Sequence, residues 1–424
     1  MVDQTSSKTG DDGTHDPEDD RLRREILREQ VDYLVKALGG PENAAAQWDE
    51  DGGLAYVYRP GYILARDEDA EDVASFAGAE LAGERGKQRQ RGLSVLRIPG
   101  DQRVQNVLEQ IDDRFGVGVA TPEHILFVTP GGGGRLCPAI EPEEPGSDPA
   151  PYPALAGDTQ GGRNVLVSVV DTGWWPPAAT DPASPWLAAG VDGDPETIDP
   201  SDIHPYAGHG TFIAGVVRTQ APSAQIYVDG FLPIGGAVFE SDIVVQLGEA
   251  LERSPDIISL SAGCPTRKHL PLMGFEVFWE RRLRHHKGTV LVAAAGNDGH
   301  RLPFWPAAFP WAVSVGALDR AGGRADYSNF GSWVDVYALG SDQVNAYPTG
   351  TFVCQESPNV GQARHFKGIA RWSGTSFATP LVAGLVAARM SGRGITARVA
   401  ADELLAEARA QARPGVGPVL EPLP

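Results

Sequence analysis

The sequence contains little cysteine: three residues in 424, namely Cys137, Cys264 and Cys354. Their number is odd and their spacing wide, which excludes a disulfide framework and leaves at most one disulfide. Nor do they have the close spacing of a metal-binding motif. So few cysteines are typical of a reducing compartment. The length of the chain predicts two domains, or three, with room for a large core.

Positive charge is also scarce. Aspartate and glutamate total 56 residues against 36 lysines and arginines, which gives a formal net charge of −20. Because binding to phosphates requires the opposite sign, this balance argues against a nucleic acid as partner. The simplest interpretation of the negative charge is solubility.

Long hydrophobic runs are missing as well. No run approaches the ~20 apolar residues that a membrane-spanning helix needs, so we expect no membrane partner. The first twenty residues are acidic and lack the basic-then-apolar order of a secretory signal. We therefore expect a soluble, cytoplasmic protein, with secretion as the alternative.

The N-terminal part divides into three segments. Residues 1–20 are polar and acidic, which predicts a disordered tail. Residues 21–130 begin with apolar side chains at helical spacing, stopped by Gly39 and Pro41, and continue with alternating extended and helical patterns. They predict a helix followed by a small α+β domain. Residues 131–162 are dense in glycine and proline and predict a linker without regular structure.

Residues 163–424 again alternate between strands and helices. The strands are continuously apolar, as in NVLVSVVD (164–171) and TVLVAAAG (289–296). Such strands, separated by helices, predict an α/β domain with a parallel sheet covered on both faces. Because ligands of these sheets bind beyond the carboxyl ends of the strands, the chemistry is expected there.

Four polar residues follow these strands or begin helices, each near glycine: Asp171 in SVVDTG, His209 in GHGTFIAG, Asn297 in AAAGNDG and Ser376 in GTSFATP. Singly, each has an ordinary explanation as a turn residue, a packed ring or a helix N-cap. Together they fit one chemistry, in which Ser376 attacks a carbonyl, His209 transfers its proton and Asp171 orients the imidazole. Asn297 and the backbone N–H of Ser376 would then stabilise the oxyanion.

The serine motif also predicts its own local structure. Pro380 precedes LVAGLVAARM, an apolar run typical of a buried helix. Since proline is tolerated in the first turn of a helix, we expect the helix to start near Ser376, with Pro380 in its first turn. Ser376 is then either the N-cap or a nucleophile that faces the positive end of the helix dipole.

The segments VVDTG, HGTFIAG, AAAGN and GTSFATP resemble the four signature motifs of the subtilisin-like serine proteases, or subtilases, in that family's order Asp…His…Ser. The resemblance covers about residues 163–410. It implies a doubly wound α/β domain around a mostly parallel sheet, and serine endopeptidase activity on a protein or peptide substrate. Two departures, Phe377 for the commoner Met and Ser259 for the usual Asn, do not touch the catalytic atoms.

The resemblance also implies a substrate groove. It assigns one wall of the primary specificity pocket to Ser261, Ala262 and Gly263, and the other to Ala294, Ala295 and Gly296. It puts Gly235 and Gly236 on an edge strand that pairs with the extended substrate. Phe304 falls near the base of the pocket, where a bulky ring would favour small or medium substrate side chains.

Three further expectations rest on the resemblance. Subtilases commonly carry an N-terminal prodomain of ferredoxin-like form, which residues 54–130 resemble with one strand fewer. This unit could instead dock an activating protein partner. No cofactor is required, and no metal site is assigned, although calcium could bind the acidic loops around Asp181–Asp202.

The resulting hypothesis is a serine endopeptidase, of a dedicated processing or signalling kind. The alternatives are a peptide-binding pseudoenzyme and a broad degradative protease. The intact set of four polar residues argues against the pseudoenzyme, and the additional N-terminal unit favours a dedicated protease.

Overall fold

A computed structural model describes residues 17–50, 52–82, 90–100, 102–128, 141–146, 153–232 and 235–424. Residues 1–16 of the predicted disordered tail lie outside this part of the chain. Residues 17–20 belong to the first helix, so the helix starts earlier than the sequence predicts. No helix in these ranges is both long and apolar enough to cross a bilayer.

The N-terminal unit alternates helices and short strands. Its elements are α1 (Pro17–Ala37), β1 (Ala45–Trp48), β2 (Leu54–Arg66), α2 (Ala70–Ala77), β3 (Glu80–Leu81), β4 (Leu93–Arg97), α3 (Val104–Phe115) and β5 (Ala120–Val128). The predicted order of extended and helical segments is confirmed for β2, α2, β4, α3 and β5. The sequence pattern does not predict β1 and β3, because their four and two residues carry little periodic signal.

These strands form an antiparallel sheet in the order β5-β2-β4-β3, with β1 paired to β2. Helices α2 and α3 pack against it through a buried apolar cluster that includes Val73, Leu108 and Ile111 on the helices and Ile63 and Leu96 on the strands. The unit therefore has a small core of its own.

The C-terminal unit follows the predicted alternation. Its helices are α4 (His209–Gln220), α5 (Glu240–Ala250), α6 (Met273–Arg281), α7 (Thr375–Arg393) and α8 (Ala397–Ala410). Its strands are β6 (Leu166–Asp171), β7 (Val191–Gly193), β8 (Gln225–Gly230), β9 (Ala237–Phe239), β10 (Ile257–Leu260), β11 (Ala262–Gly263), β12 (Val290–Ala294), β13 (Ala312–Leu318), β14 (Val336–Leu339), β15 (Gln343–Ala346), β16 (Gly350–Val353), β17 (Ala363–Phe366), β18 (Ile369–Trp372) and β19 (Val419–Leu420).

An eight-stranded parallel sheet organises this unit, in the order β19-β14-β13-β12-β10-β6-β8-β7. Helices α4, α7 and α8 contribute to one hydrophobic cluster, and α5 and α6 contribute to another. The predicted α/β class, with a parallel sheet covered on both faces, is confirmed. Two antiparallel pairs, β15-β18 and β16-β17, lie outside the main sheet.

The two units share one sheet. Strand β5 pairs antiparallel with β9, placing Leu126 opposite Val238, and with β11, placing Phe127 opposite Gly263. The antiparallel sheet of the N-terminal unit thereby gains two strands from the C-terminal unit. This junction is continuous hydrogen-bonded structure.

Residues 141–146, within the predicted linker, bind the C-terminal unit. Glu143 and Arg371 exchange both backbone N–H···O hydrogen bonds, each 2.8 Å long. The Glu141 carboxylate accepts hydrogen bonds from the backbone N–H groups of Gln355 and Glu356. This segment is therefore attached to the strand that leads toward Ser376.

Helix α7 starts differently from the prediction. Gly374 occupies the N-cap position, so the N-cap interpretation of Ser376 is wrong. Pro380 is the sixth residue of the helix and lies beyond its first turn. Because proline has no N–H, it cannot satisfy the carbonyl of Ser376 four residues earlier. The hydroxyl of Ser261 donates to that oxygen instead, over 2.9 Å.

Helices α4 and α7 pack closely at Gly384. A Cβ atom there would lie 2.7 Å from Cβ of Gln220 and 2.9 Å from the carbonyl oxygen of Val217, both on α4. Neither atom can move without shifting α4 itself. The missing side chain therefore sets the separation of the two helices.

We expect Gly384→Ala to lower the free energy of unfolding by about 1–3 kcal/mol, because the added methyl group overpacks the helix contact. Gly392, on the same helix, has open space around it. Gly392→Ala should instead raise the free energy by up to about 1 kcal/mol, through the better helix propensity of alanine. Urea unfolding followed by circular dichroism compares the two. Equal effects would contradict the close packing at Gly384.

Candidate active site

Asp171 and His209 form a buried pair beyond the carboxyl end of the parallel sheet. Asp171 is the last residue of β6, and His209 is the first of α4. Nδ1 of His209 lies 2.7 Å from Oδ1 of Asp171, which also accepts the backbone N–H of Thr172 over 2.8 Å. Because an ionised carboxylate can only accept, Nδ1 carries the proton and Nε2 is left as an acceptor.

The glycines on both sides of His209 allow this geometry. Gly208 has a φ of +74°, and a Cβ atom there would lie 2.3 Å from Cδ of Pro348. A Cβ atom on Gly210 would lie 2.5 Å from the carbonyl oxygen of Gly173, two residues after Asp171. The GHG sequence therefore lets α4 begin directly against the end of β6.

Two aromatic residues near Ser376 in the sequence pack against the imidazole of His209. The rings of Trp372 and Phe377 lie 5.2 and 5.3 Å, centroid to centroid, from the imidazole of His209. Phe377 is the residue directly after Ser376, so α7 presents its first turn to the imidazole. The hydroxyl of Ser376 lies 3.4 Å from the carbonyl oxygen of Ser261.

The side chain of Asn297 is fixed by the residue before Ser376. Its Oδ1 accepts hydrogen bonds from the backbone N–H of Thr375 over 2.8 Å and from the Thr375 hydroxyl over 2.9 Å. Since the backbone N–H can only donate, the oxygen must face Thr375. The amide nitrogen then lies on the Gly374 side, 3.4 Å from where a Cβ of Gly374 would be. The structure thus brings Asp171, His209, Asn297 and Ser376 to one end of the sheet.

Glu196 is a further residue next to the site, and no sequence motif indicates it. Its Oε2 accepts the backbone N–H of Gly208 over 3.0 Å, directly before His209. Its Oε1 is buried and has no hydrogen-bond partner. Burial, with a further contribution from the negative charge of Asp171, raises the pKa of Glu196 to about 8. Glu196 lies in an acidic loop with no motif, so nothing in the sequence marked it.

The groove residues named from the sequence contact the chain's own N-terminal unit. The backbone N–H of Val128, at the end of β5, donates to the carbonyl oxygen of Gly236 over 2.7 Å. On the other side, Val128 lies opposite Ala262. A Cβ on Gly235 would lie 2.5 Å from Cβ of Ala37, at the end of α1. Strand β5 thus runs as an extended segment between the two sides of the predicted groove.

The second predicted wall of the specificity pocket, at residues 294–296, lies next to Thr375, the residue before Ser376. Ala294, Ala295 and Gly296 are fully buried or nearly so, at the end of β12. The backbone N–H of Gly296 donates to the hydroxyl of Thr375 over 3.2 Å. Phe304 is fully buried against both Gly263 and Gly296.

In the described ranges, no group of three or more His, Cys, Asp or Glu side chains has an arrangement that could hold a metal ion. The acidic loops around Asp181–Asp202 therefore contain no such side-chain cluster in the part of the chain that the structure describes. Cys264 and Cys354 are buried free thiols. Cys137 lies outside the described residues.

Comparison with known proteins gives three kinds of match. The family model described as "Subtilase family" matches residues 162–415, more than half of the chain. Thermitase from Thermoactinomyces vulgaris is 31% identical over 254 residues, which cover 57% of this chain and 80% of thermitase. Fervidolysin from Fervidobacterium pennivorans matches in structure with a TM-score of 0.54 and 17% identity, over 87% of this chain and 62% of that one, which shows the fold alone.

Two further relatives match over a smaller share of their own length. The thermophilic serine proteinase of Bacillus sp. strain AK1 is 31% identical over 54% of this chain and 53% of its own. Subtilisin E of Bacillus subtilis strain 168 is 30% identical over 56% of this chain and 58% of its own. The chain thus spans about half the length of these two relatives. By the match of the family model, the chain belongs to the subtilase family.

Proposed function

We propose that this protein is a serine endopeptidase that uses Ser376 as nucleophile, His209 as general base and Asp171 to orient the imidazole. The observation that carries the proposal is the buried hydrogen bond between Nδ1 of His209 and Asp171, which leaves Nε2 free to accept a proton. Family membership supports the same activity.

Acylation begins when the Ser376 hydroxyl turns from the Ser261 carbonyl toward Nε2 of His209. A hydroxyl bonded over 3.4 Å is weakly held, so the rotation costs little. His209 takes the proton as the oxygen attacks the substrate carbonyl, and the imidazolium is stabilised by the carboxylate of Asp171. The same proton then passes to the leaving amine, and water hydrolyses the acyl-enzyme by the reverse steps.

The oxyanion of the tetrahedral intermediate is stabilised by Asn297 and the N-terminus of α7. The two hydrogen bonds from Thr375 hold the Asn297 oxygen, so its amide N–H groups face the Gly374–Ser376 backbone before substrate arrives. The backbone N–H of Ser376, in the first turn of the helix, is the second donor. Donors fixed in advance need no reorganisation as the charge develops.

The N-terminal unit acts as an inhibitory prodomain in this proposal. Its strand β5 pairs with β9 and β11 on both sides, as an extended substrate would. Val128 lies opposite Ala262, one residue from Ser261, whose carbonyl accepts from the Ser376 hydroxyl. The carboxyl end of β5, at Val128, therefore lies beside the segment that contacts the nucleophile.

A peptide-binding pseudoenzyme is the alternative from another functional class. It would keep the groove and lose turnover, and the paired Asp171 and His209 favour the enzyme. We further propose a dedicated processing or signalling role, because a unit that fills the groove restricts access to it. We also propose that the protein is cytoplasmic and acts on protein or peptide substrates. Its activation would proceed through the N-terminal region.

The nucleophile is tested by Ser376→Ala. We expect peptide hydrolysis to vanish and a fluorophosphonate probe to label Ser376 alone in the wild type, since in this proposal His209 activates only this serine. Mass spectrometry of the labelled peptide identifies the site. Labelling of another serine, or full activity of the variant, would contradict the assignment.

Self-processing is tested by intact-mass measurement. Wild-type protein should cut itself between about Thr129 and Gly162, while Ser376→Ala protein should stay at full length. Most of that interval lies outside the described residues. The released N-terminal fragment should inhibit the processed enzyme, because β5 competes with substrate for β9 and β11. Active wild type that remains uncut would show that the unit is not a removable prodomain.

Glu196 makes the stability of the folded protein depend on pH. Its pKa is raised from 4.5 to about 8, so the folded protein holds this proton more tightly than the unfolded chain does. The corresponding stability is present at acidic pH and is lost as pH rises from about 4.5 through about 8. At neutral pH the protonated carboxyl adds no second negative charge beside Asp171.

Glu196→Gln keeps the acceptor for Gly208 and removes the ionisation. In the Ser376→Ala background, we expect Glu196→Gln and Glu196 proteins to unfold alike at pH 5. At pH 9 the glutamine variant should be more stable by a few kcal/mol, since each pKa unit corresponds to about 1.4 kcal/mol before solvent screening. Urea unfolding at pH 5, 7 and 9 measures this. If the difference in unfolding free energy between the two proteins were the same at all three pH values, a buried, protonated Glu196 would be ruled out.

A further inference from the structure

A pocket of about 490 Å³ has walls with an excess of positive charge. Its charged lining residues are three arginines, Arg301, Arg324 and Arg409, and one carboxylate, Asp335. The chain as a whole has the opposite sign, with a formal net charge of −20. Because a cleft lined by one sign of charge concentrates ions of the other sign, this pocket attracts anions that the rest of the chain repels.

Two of the three arginines have no carboxylate to neutralise them. Arg409 is paired with Asp335, over 2.9 Å. Within the described part of the chain, no carboxylate forms an ion pair with the guanidinium group of Arg301 or Arg324. Both groups instead lie over the ring of Phe330, with their central carbons 5.0 and 4.0 Å from its centroid. Two like charges at one ring repel each other, and an anion bound to both would offset that repulsion.

Tyr337 shows that these two charges act on the same space. Its side chain is buried and lines the same pocket. Burial raises the pKa of the Tyr337 hydroxyl, and the positive charges of Arg324 and Arg301 both act against this rise. Since the interaction between charges weakens with distance, both guanidinium groups lie near the phenol. Two arginines from separate segments of the chain therefore converge on one pocket.

Backbone hydrogen bonds hold the walls of the pocket in place. The N–H of Tyr337 donates to the carbonyl oxygen of Pro418 over 2.9 Å. Arg413 and Gly417 exchange backbone hydrogen bonds over 2.8 and 2.9 Å, which closes the adjacent turn. The pocket is therefore formed before a ligand arrives, and its volume is in the range of about 300–1,000 Å³ that is usual for small-molecule sites.

The other walls decide the class of ligand. Val334, Val416 and Pro418 give the pocket an apolar side opposite in character to its arginines. A guanidinium group matches the oxygens of a carboxylate or a phosphate with two parallel hydrogen bonds. A complementary ligand therefore has an oxyanion group on an apolar body.

We propose that this pocket binds a small organic anion, whose carboxylate or phosphate group contacts the guanidinium groups of both Arg301 and Arg324 while its apolar part packs on Val334 and Val416. The pocket shares no residue with the predicted substrate groove. The inference therefore does not depend on the proposed protease activity, and it is tested by binding rather than by turnover.

The test is isothermal titration calorimetry of the full chain at neutral pH and constant ionic strength, with Ser376→Ala present to prevent self-cleavage. The probes are phenyl phosphate and phthalate, which carry a phosphate and two carboxylates on the same kind of ring. We expect at least one of them to bind once per chain with a dissociation constant below about 1 mM. The probe that binds more tightly identifies the preferred oxyanion. Benzyl alcohol, which has a ring and no charge, should not bind at the same concentrations.

Arginine variants assign the binding to this pocket. Arg301→Gln and Arg324→Gln should each weaken it by at least about tenfold, because each removes a charge-assisted hydrogen bond. Arg163→Gln changes an exposed arginine before β6 and should leave the affinity as it was. Arg324 also donates to the carbonyl oxygen of Ser328 over 3.0 Å, so if Arg324→Gln does not fold, Arg301→Gln, at an exposed position, decides the result.

Three results would overturn the proposal. They are no binding of either charged probe, binding of benzyl alcohol as tight as that of the charged probes, and an affinity that Arg301→Gln leaves unchanged. None of them bears on the nucleophile, which the fluorophosphonate probe tests separately.

Discussion

The site depends on one buried interaction, the 2.7 Å hydrogen bond between His209 and Asp171. A carboxylate with no exposed surface is costly unless it is paired and hydrogen-bonded. The surrounding structure meets that requirement: β6 ends at Asp171, α4 begins at His209, and Thr172 supplies a second donor. Gly208 and Gly210 permit the close approach, and Trp372 and Phe377 cover the imidazole.

The parallel sheet brings together site residues that are far apart in the sequence. Residues separated by 38 and 115 positions meet because parallel strands place their carboxyl ends at the same edge. The close contact of α4 and α7 at Gly384, together with the packing of Phe212 on Phe377 near the starts of the two helices, then sets their spacing. The catalytic chemistry we propose thus depends on the spacing of helices α4 and α7 as well as on the identity of the site residues.

The N-terminal unit contributes a strand, β5, that pairs with β9 and β11 of the C-terminal unit. An open groove between β9 and β11 would expose unpaired backbone N–H and C=O groups, and β5 satisfies them. In the function we propose, a substrate must therefore replace an intramolecular strand. Beside it, the buried ring of Phe304 packs against Gly263 and Gly296.

The sequence by itself determined the α/β class, the alternation of elements and the four polar residues at strand ends and helix starts, because apolar periodicity and glycine spacing are local signals. It misplaced the start of α7, since Gly374 and Thr375 begin the helix and the Ser261 hydroxyl satisfies the carbonyl that Pro380 leaves unpaired. Only the tertiary structure revealed Glu196, whose raised pKa comes from burial and from Asp171 rather than from any motif. It alone decided the register of β5 in the groove and the contact of Phe304 with Gly263 and Gly296, because these depend on atoms brought together from four separate segments.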